Sequence, residues 1–363
     1  MRILITGNMG YVGPALVRQL REAHPDATLH GFDTGFFAHC LTGVDDVPER
    51  ALDTQYFGDA RSITTAFLRG YDAVVLLAAI SNDPMGHQFE EVTREINYEA
   101  AVATALKARE AGVRNLVYAS SCSIYGVADG PPRRENDPVS PMTAYARSKV
   151  AAEADLRRIG PGMVVTCLRF ATACGMSDRL RLDLVLNDFV AGALTSGELS
   201  ILSDGTPWRP LIDTQDMARA IDWAITRPAG NGGEYLAVNV GSDDRNYQVR
   251  DLAEAVVAAI PGTRVSINAD APVDSRSYRV DFSLFRTLAP HHQPQVSLSD
   301  SIVQLRDGLS RMRFCDKDYR QSQLIRLKVL ERHIAQERVS QWLRWIRPEE
   351  ETEQPLYAVA GRR

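Results

Sequence analysis

The chain opens with the continuous apolar run Ile3-Leu4-Ile5, breaks into Thr6-Gly7-Asn8-Met9-Gly10-Tyr11-Val12-Gly13, and resumes at helical spacing through Leu16, Val17 and Leu20. That switch of period predicts a buried strand, a turn and a helix in one stretch. Further strand-like runs lie at Ala73–Ala79, Asn115–Ala119, Met163–Phe170 and Tyr235–Val240, and they alternate with helical stretches, notably Ile96–Ala111 and Tyr145–Arg158. Strand alternating with helix implies an α/β fold with a doubly wound parallel sheet covered on both faces. From Met176 the pattern loosens: Asp183–Leu194 reads as a helix, Ser203–Pro207 as a turn and Asp216–Ile225 as a helix again. Tyr319–Trp345 places Leu324, Leu327, Leu330, Ile334 and Val339 among many Arg, the mark of an amphipathic helix or helix pair packed on its own domain. The acidic, Pro-broken tail 348–363 is expected to be flexible.

The glycines give the first turn a chemical reading. Gly7 permits the tight turn, Gly10 lets backbone approach a pyrophosphate, and Gly13 lets the helix sit close to its strand, with Tyr11 and Val12 between them. The spacing is G-x-x-G-x-x-G rather than the commoner G-x-G-x-x-G, but a second apolar stretch ends at Phe32-Asp33, about twenty residues past the turn. An acidic side chain there accepts both ribose hydroxyls of an adenosine and repels a 2′-phosphate, so the pattern favours NAD over NADP. The expectation is a Rossmann dinucleotide-binding domain over 1–175, with 212–243 returning to it. A smaller mixed α/β substrate-binding domain is expected over 176–211 and 244–347. Ligands in such sheets lie outside the carboxyl ends of the strands, where Gly7–Gly13, Asp33, Leu77–Ser81, Ser120–Tyr125 and Phe170–Gly175 all fall.

Composition narrows the class. With 363 residues, 45% of them hydrophobic, the chain can bury a large core, and a net charge of −5 gives no broad surface for nucleic acid or an anionic membrane. The five cysteines, Cys40, Cys122, Cys167, Cys174 and Cys315, are scattered without C-x-x-C or paired-His spacing, which argues against a disulfide framework or a metal site. The first strand begins at residue 2, leaving no room for a signal peptide, and no apolar run approaches the ~18 residues of a membrane span. A cytoplasmic setting is the expectation.

Tyr145-Ala146-Arg147-Ser148-Lys149 opens an Ala-rich helix. Positions i and i+4 face the same way, so a phenol and an ammonium are held side by side. Alone, such a pair reads as a surface contact, and Ser121 as a strand-end cap. Together they read as proton chemistry: the ammonium, with a positive nicotinamide nearby, is expected to lower the Tyr145 pKa toward a general-base range, and Ser121 to bind the substrate oxygen.

With these residues on the page, the chain resembles the extended short-chain dehydrogenase/reductases, specifically the NAD-dependent epimerase/dehydratase group acting on nucleotide sugars. The resemblance runs from Met1 to about residue 310. It rests on Gly7/Gly10/Gly13, Asp33, Gly58-Asp59-Ala60, Leu77-Ala78-Ala79, Asn97, Ser120 through Gly126, Tyr145/Lys149, Leu168-Arg169-Phe170, Gly205 through Pro210 and Asn239-Val240-Gly241. It implies Tyr145 as catalytic base, Lys149 as its electrostatic partner and ribose ligand, and Ser121 as the substrate-oxygen ligand. Asp59 and Ala60 are implied as adenine contacts, beside Leu77, Ala78 and Ala79 at the cofactor. Arg209 matches the arginine that grips the nucleotide diphosphate, and Arg276 a second phosphate ligand. Ser81, Cys122, Ser123, Thr172 and Asn187 complete the substrate-side candidates.

Departures from the family pattern select among reactions. Sugar 4,6-dehydratases carry Asp-Glu, or at least Glu, where this chain has Cys122-Ser123, which disfavours dehydration. Cys122 lies three residues before Tyr125 rather than two, so strand alternation aims it at the core rather than at a sugar. Thr172 and Asp213 stand where the family has Asn and His. The resemblance implies a nucleotide-diphosphate sugar epimerase that oxidises a ring hydroxyl transiently and returns the hydride. A net NAD(H)-dependent reductase and a non-catalytic NAD sensor remain open beside it. It also implies a homodimer formed through Ile96–Ala111 and Ala144–Ile159.

Overall fold

A computed structural model describes residues 1–43, 47–128, 130–201, 203–267 and 277–346; Arg276 and the tail beyond Pro348 lie outside the described residues. In chain order the strands are β1 (Arg2–Thr6), β2 (Thr28–Asp33), β3 (Thr54–Phe57), β4 (Ala73–Leu76), β5 (Asn115–Ser121) and β6 (Val164–Phe170). They continue as β7 (Thr172–Cys174), β8 (Glu198–Ile201), β9 (Trp208–Asp213), β10 (Tyr235–Val240), β11 (Asn246–Gln248) and β12 (Arg264–Ile267). Seven of them form one parallel sheet in the order β10-β6-β5-β4-β1-β2-β3. The chain winds from β1 outward through β2 and β3, then crosses to β4 and winds the other way, so β1 and β4 meet at the switch point where such sheets bind ligands.

The continuous apolar run of β1 follows from burial on both faces. Ile3 and Ile5 pack with Leu16, Val17 and Leu20 of the helix Gly13–Ala23 and with Ile221 of the helix Thr214–Thr226. Leu4 points the other way, toward Val74, Ala101 and Ala105. The Ile, Leu and Val side chains among these are at most 1% exposed, a contribution of about 1.5–3 kcal/mol apiece. Between the sheet helices, Glu95–Ala100 takes a π-turn, the kind of irregularity that often sits beside a functional site.

Beyond β6, β7 and β9 run parallel and β9 pairs antiparallel with β11, while β8 pairs with β12. Helices Val185–Thr195, Val249–Ala259 and Leu298–Arg311 cover these short sheets with a second apolar core around Leu186, Leu252 and Leu305. The last segment departs from expectation. Tyr319–Trp345 holds one short turn at Tyr319–Gln321 and a single α-helix, Arg326–Ala335, followed by irregular chain. Its residues Tyr319 and Leu324 pack in this second core, as grouped by sequence, whereas Leu330, Val339 and Leu343 pack on Phe36, Ile80 and Met85 beside the parallel sheet. Among the described residues, no helix is long and apolar enough to cross a membrane.

Candidate active site

A cavity of about 820 Å³ opens at the carboxyl ends of β1, β2, β4, β5 and β6. Its floor is the glycine turn. Gly7 holds φ +75°, and a Cβ on it would stand 2.5 Å from the Ala78 nitrogen, so only glycine lets the turn after β1 meet the loop after β4. Gly10 and Val12 line the cavity; Tyr11 does too, but its hydroxyl is engaged by the Gly175 carbonyl at 2.5 Å and Asn187 Nδ2 at 2.9 Å. Gly13 does not line the cavity: a Cβ there would fall 1.8 Å from the Asn8 oxygen, so its role is close packing of helix on turn rather than contact with a ligand. The helix Gly13–Ala23 begins without a side-chain cap and with proline in its first turn, which leaves its first amides aimed at an anion.

Asp33 closes this end. Its carboxylate accepts from the Met9 amide at 3.1 Å and the Gly35 amide at 2.7 Å, fixing the end of β2 to the glycine turn with the carboxylate at the cavity. Burial raises its pKa above the usual carboxylate range against the lowering effect of those amides and of Arg179. Asp59, Ala60, Leu77, Ala78 and Ala79 border the same space. The loop after β4 is held by Asn97, wholly buried, whose side chain accepts from the Ile80 amide and donates to the Ile80 carbonyl, both at 2.8 Å. A backbone cradle that a Cβ would fill, an uncapped helix start and a carboxylate at the end of β2 together fit a dinucleotide.

Ser121 ends β5, and Tyr145 and Lys149 lie one turn apart on the helix Ala144–Leu156, capped by Thr143 accepting from the Ala146 amide. All three reach the cavity. Ser121 lies close enough to the Tyr145 phenol to lower its pKa, and its hydroxyl donates to that of Ser123 at 3.0 Å. Lys149, 2% exposed, donates to the Ala119 carbonyl at 2.7 Å and sits 4.5 Å from the Tyr118 ring centroid and 5.4 Å from that of Tyr145.

Among the protein's own groups, burial outweighs the charges around Tyr145. Burial pushes the phenol up to about 12, with the Ser121 hydroxyl and the charge of Arg181 acting downward and Asp83 upward. Lys149 Nζ lies 5.4 Å from the Tyr145 ring centroid, and its own burial brings it down to about 7 despite Glu153 nearby. Glu153 itself is held by Arg169, at 2.7 Å, and by Ser120 at 2.5 Å.

The sugar-side candidates divide. Ser81, Ser123, Thr172 and Arg209 line the cavity, and Arg209 donates to the Trp208 carbonyl at 2.8 Å. Cys122 is wholly buried, its thiol donating to the Arg169 carbonyl at 3.0 Å, so it is a core side chain and not a substrate contact. Asn187 is likewise removed: its amide is held by Tyr11, the Gly175 amide and the Arg181 carbonyl, away from the cavity. Asp213, at the family's His position, caps the helix Thr214–Thr226 and accepts from Ser301 at 2.7 Å; burial carries it up to about 6.

Sequence reasoning missed Arg181. It is 6% exposed, pairs with Asp183 through two contacts of 2.9 Å, donates to Ser81 at 2.8 Å, and is the cation that acts on Tyr145. The only sequence signal was the alternation Arg179-Leu180-Arg181-Leu182-Asp183, in which charged side chains interrupt an apolar stretch.

Comparison with known proteins agrees with this geometry. The profile of the NAD dependent epimerase/dehydratase family matches residues 3–241. A UDP-glucose 4-epimerase of Streptomyces lividans is 29% identical over 277 residues, 70% of this chain and 80% of that protein. One of Mycolicibacterium smegmatis is 27% identical over 322 residues, 84% of this chain and 96% of that one. The fold matches a UDP-glucuronic acid 4-epimerase of Bacillus cereus, solved with UDP-glucuronic acid and NAD, at a TM-score of 0.73 and 21% identity, over 86% of this chain and 100% of that one. It also matches an NAD-dependent NDP-hexosamine 5,6-dehydratase of tunicamycin biosynthesis at a TM-score of 0.73 and 23% identity, over 85% and 98% of the two chains.

Proposed function

The chain belongs to the NAD-dependent epimerase/dehydratase family, and from that premise we propose that it inverts a ring carbon of a nucleotide-diphosphate sugar through transient oxidation of its hydroxyl. The observation that carries this reading is the meeting of Ser121, Tyr145 and Lys149 in the cavity floored by the glycine turn. The 4-epimerases among its relatives, and the absence of an Asp-Glu pair at Cys122-Ser123, favour epimerisation over dehydration.

Gly7, Gly10 and Val12 at the helix start would hold the pyrophosphate of NAD, Asp33 the adenosine ribose, and Lys149 the nicotinamide ribose. When bound, NAD supplies the acceptor and later the donor of a hydride. Tyr145 takes the proton of the sugar hydroxyl and gives it back, and the Ser121 hydroxyl beside it favours the charged oxygen. Lys149, whose pKa lies near 7 in the fold, can change charge with little cost as the phenol does. Arg209 is the fixed cation for the sugar's diphosphate, and Ser81 and Thr172 face the space left for the sugar.

The test is direct. Denatured protein should release NAD(H), and a panel of UDP-, dTDP-, GDP- and CDP-sugars should contain one that isomerises without net consumption of cofactor. Tyr145→Phe should lower that turnover about 10³-fold while the protein still carries its cofactor. Full turnover by the Phe variant, or one NADH consumed per product, would remove the epimerase reading.

A further inference from the structure

Three arginines lie together beside the loop after β2, and their partners do not balance. Arg179 pairs with Glu49 at 2.7 Å, and Arg181 with Asp183. Arg326, the first residue of the helix Arg326–Ala335, borders the cavity and is 2% exposed. Its Nη2 donates to the Arg179 carbonyl at 2.7 Å, its guanidinium lies 4.6 Å from the Phe37 ring centroid, and it is close enough to the Cys40 sulfur to favour the thiolate. Its Nη1 is buried with no hydrogen-bond partner. Asp183 is close enough to feel its charge but is already held in two contacts by Arg181. Burial and the neighbouring arginines bring Arg326 down to about 10. A buried guanidinium with an unmet donor beside a cavity is costly unless an anion meets it.

The chain that follows Arg326 covers the adjoining end of the same cavity. Arg61, which borders it after β3, is held by Asp59 at 2.7 Å and Glu95 at 2.9 Å and also donates to the carbonyls of Trp342 at 3.0 Å and Leu343 at 2.8 Å. Leu343 is wholly buried and lines the cavity. Trp345 donates to the Thr34 carbonyl at 2.6 Å, directly after Asp33, and its ring lies 5.4 Å from Phe36. The two loops that flank the adenosine end of the site are thereby tied to one segment, and that segment lies beyond the residues matched by the family.

We propose that Arg326–Ile346 is a built-in retaining clamp for the dinucleotide, in which Arg326 meets a diphosphate and the segment around Leu343 covers the adenosine end. The ligand chemistry is a diphosphate. It could come from the dinucleotide or from the sugar nucleotide, and the adenosine loops held by the same segment favour the dinucleotide. The inference rests on the reading that NAD occupies the glycine-turn cavity.

The test uses the full-length holoenzyme and follows the loss of NAD(H) during dilution and desalting, read by cofactor content after denaturation. Arg326→Gln should release cofactor at least 10-fold faster than the parent, Arg326→Lys should restore much of the retention, and Trp345→Ala should release it about 3-fold faster. Trp345 is 43% exposed, so its loss leaves the core intact, and thermal melting checks each variant's fold. Affinity for UDP, measured on the cofactor-loaded protein, should be unchanged. Folded variants that keep cofactor as long as the parent overturn the clamp while leaving the epimerase reading standing. Unchanged retention with weakened UDP binding overturns the dinucleotide assignment and gives Arg326 to the sugar's diphosphate. Parent protein that never holds a dinucleotide overturns both readings.

Discussion

Lys149 and Arg181 border one cavity and are almost equally hidden, 2% and 6% exposed, yet the chain treats their charges in opposite ways. Lys149 rests on a neutral carbonyl, because the nearest carboxylate, Glu153, is held by Arg169 and Ser120; its pKa falls to about 7. Arg181 is gripped through two nitrogens by Asp183, and its pKa rises. Lysine can surrender its proton when desolvated, and arginine cannot. The contrast sets a cation that burial lets lose its proton, beside Tyr145, against one that a carboxylate keeps charged.

Three measurements bear on that contrast. The largest effect belongs to Glu153→Gln, which leaves Arg169 buried without its counter-ion. Unfolding free energy should drop by about 3–5 kcal/mol, read from the urea midpoint, and a drop below about 1 kcal/mol would mean that Arg169 does not depend on the pair. Next is Lys149→Arg, which installs a permanent charge where a reversible one stands. Turnover should fall about 10²-fold in a protein that still folds. Parent-like turnover would show that reversibility at this position is immaterial.

The smallest effect is a pH slope in the cofactor-free protein. In the unfolded chain a lysine titrates near ~10.4, whereas Lys149 in the fold titrates near 7. Between those values Lys149 leaves the unfolded state with more protons, so stability should rise as pH increases from about 7 to about 8.5. Above about 8.5 the sign reverses, because burial raises the pKa of the thiols of Cys40, Cys122, Cys167 and Cys174, which keep protons the unfolded chain releases, and Tyr145 adds to the fall above about 10. Lys149→Met should remove the rise and keep the fall in a series of melting temperatures. A rise that survives the substitution assigns it elsewhere.

Legibility followed sequence distance. The glycine turn, Asp33 and the Tyr145/Lys149 pair could be read because each is local: a φ requirement, a strand end, one helical turn. The parallel sheet was equally plain, since the apolar run of β1 is dictated by burial on both sides, and Tyr235–Val240 was delimited as observed. Helix Ile96–Ala111 was only half right, because Asn97 sits in a π-turn set by its bonds to Ile80 rather than by propensity. Arg181 and Arg326 were out of reach of such reading: 145 residues separate them in number, and only packing shows which arginine of an arginine-rich segment is the buried one. Asn187 misled for the converse reason. An amide at a helix start looks available until tertiary contacts from Tyr11 and Gly175 occupy it.

The bonds from Arg61 to Leu343 and from Trp345 to Thr34 join positions 282 and 311 residues apart. During synthesis the strands around the glycine turn leave the ribosome long before the segment that finishes their outer wall. The sheet can therefore assemble early, but the cavity wall at Leu343 is completed only when translation is nearly done, so a chain cut short before Leu343 would own a Rossmann core with an unfinished door.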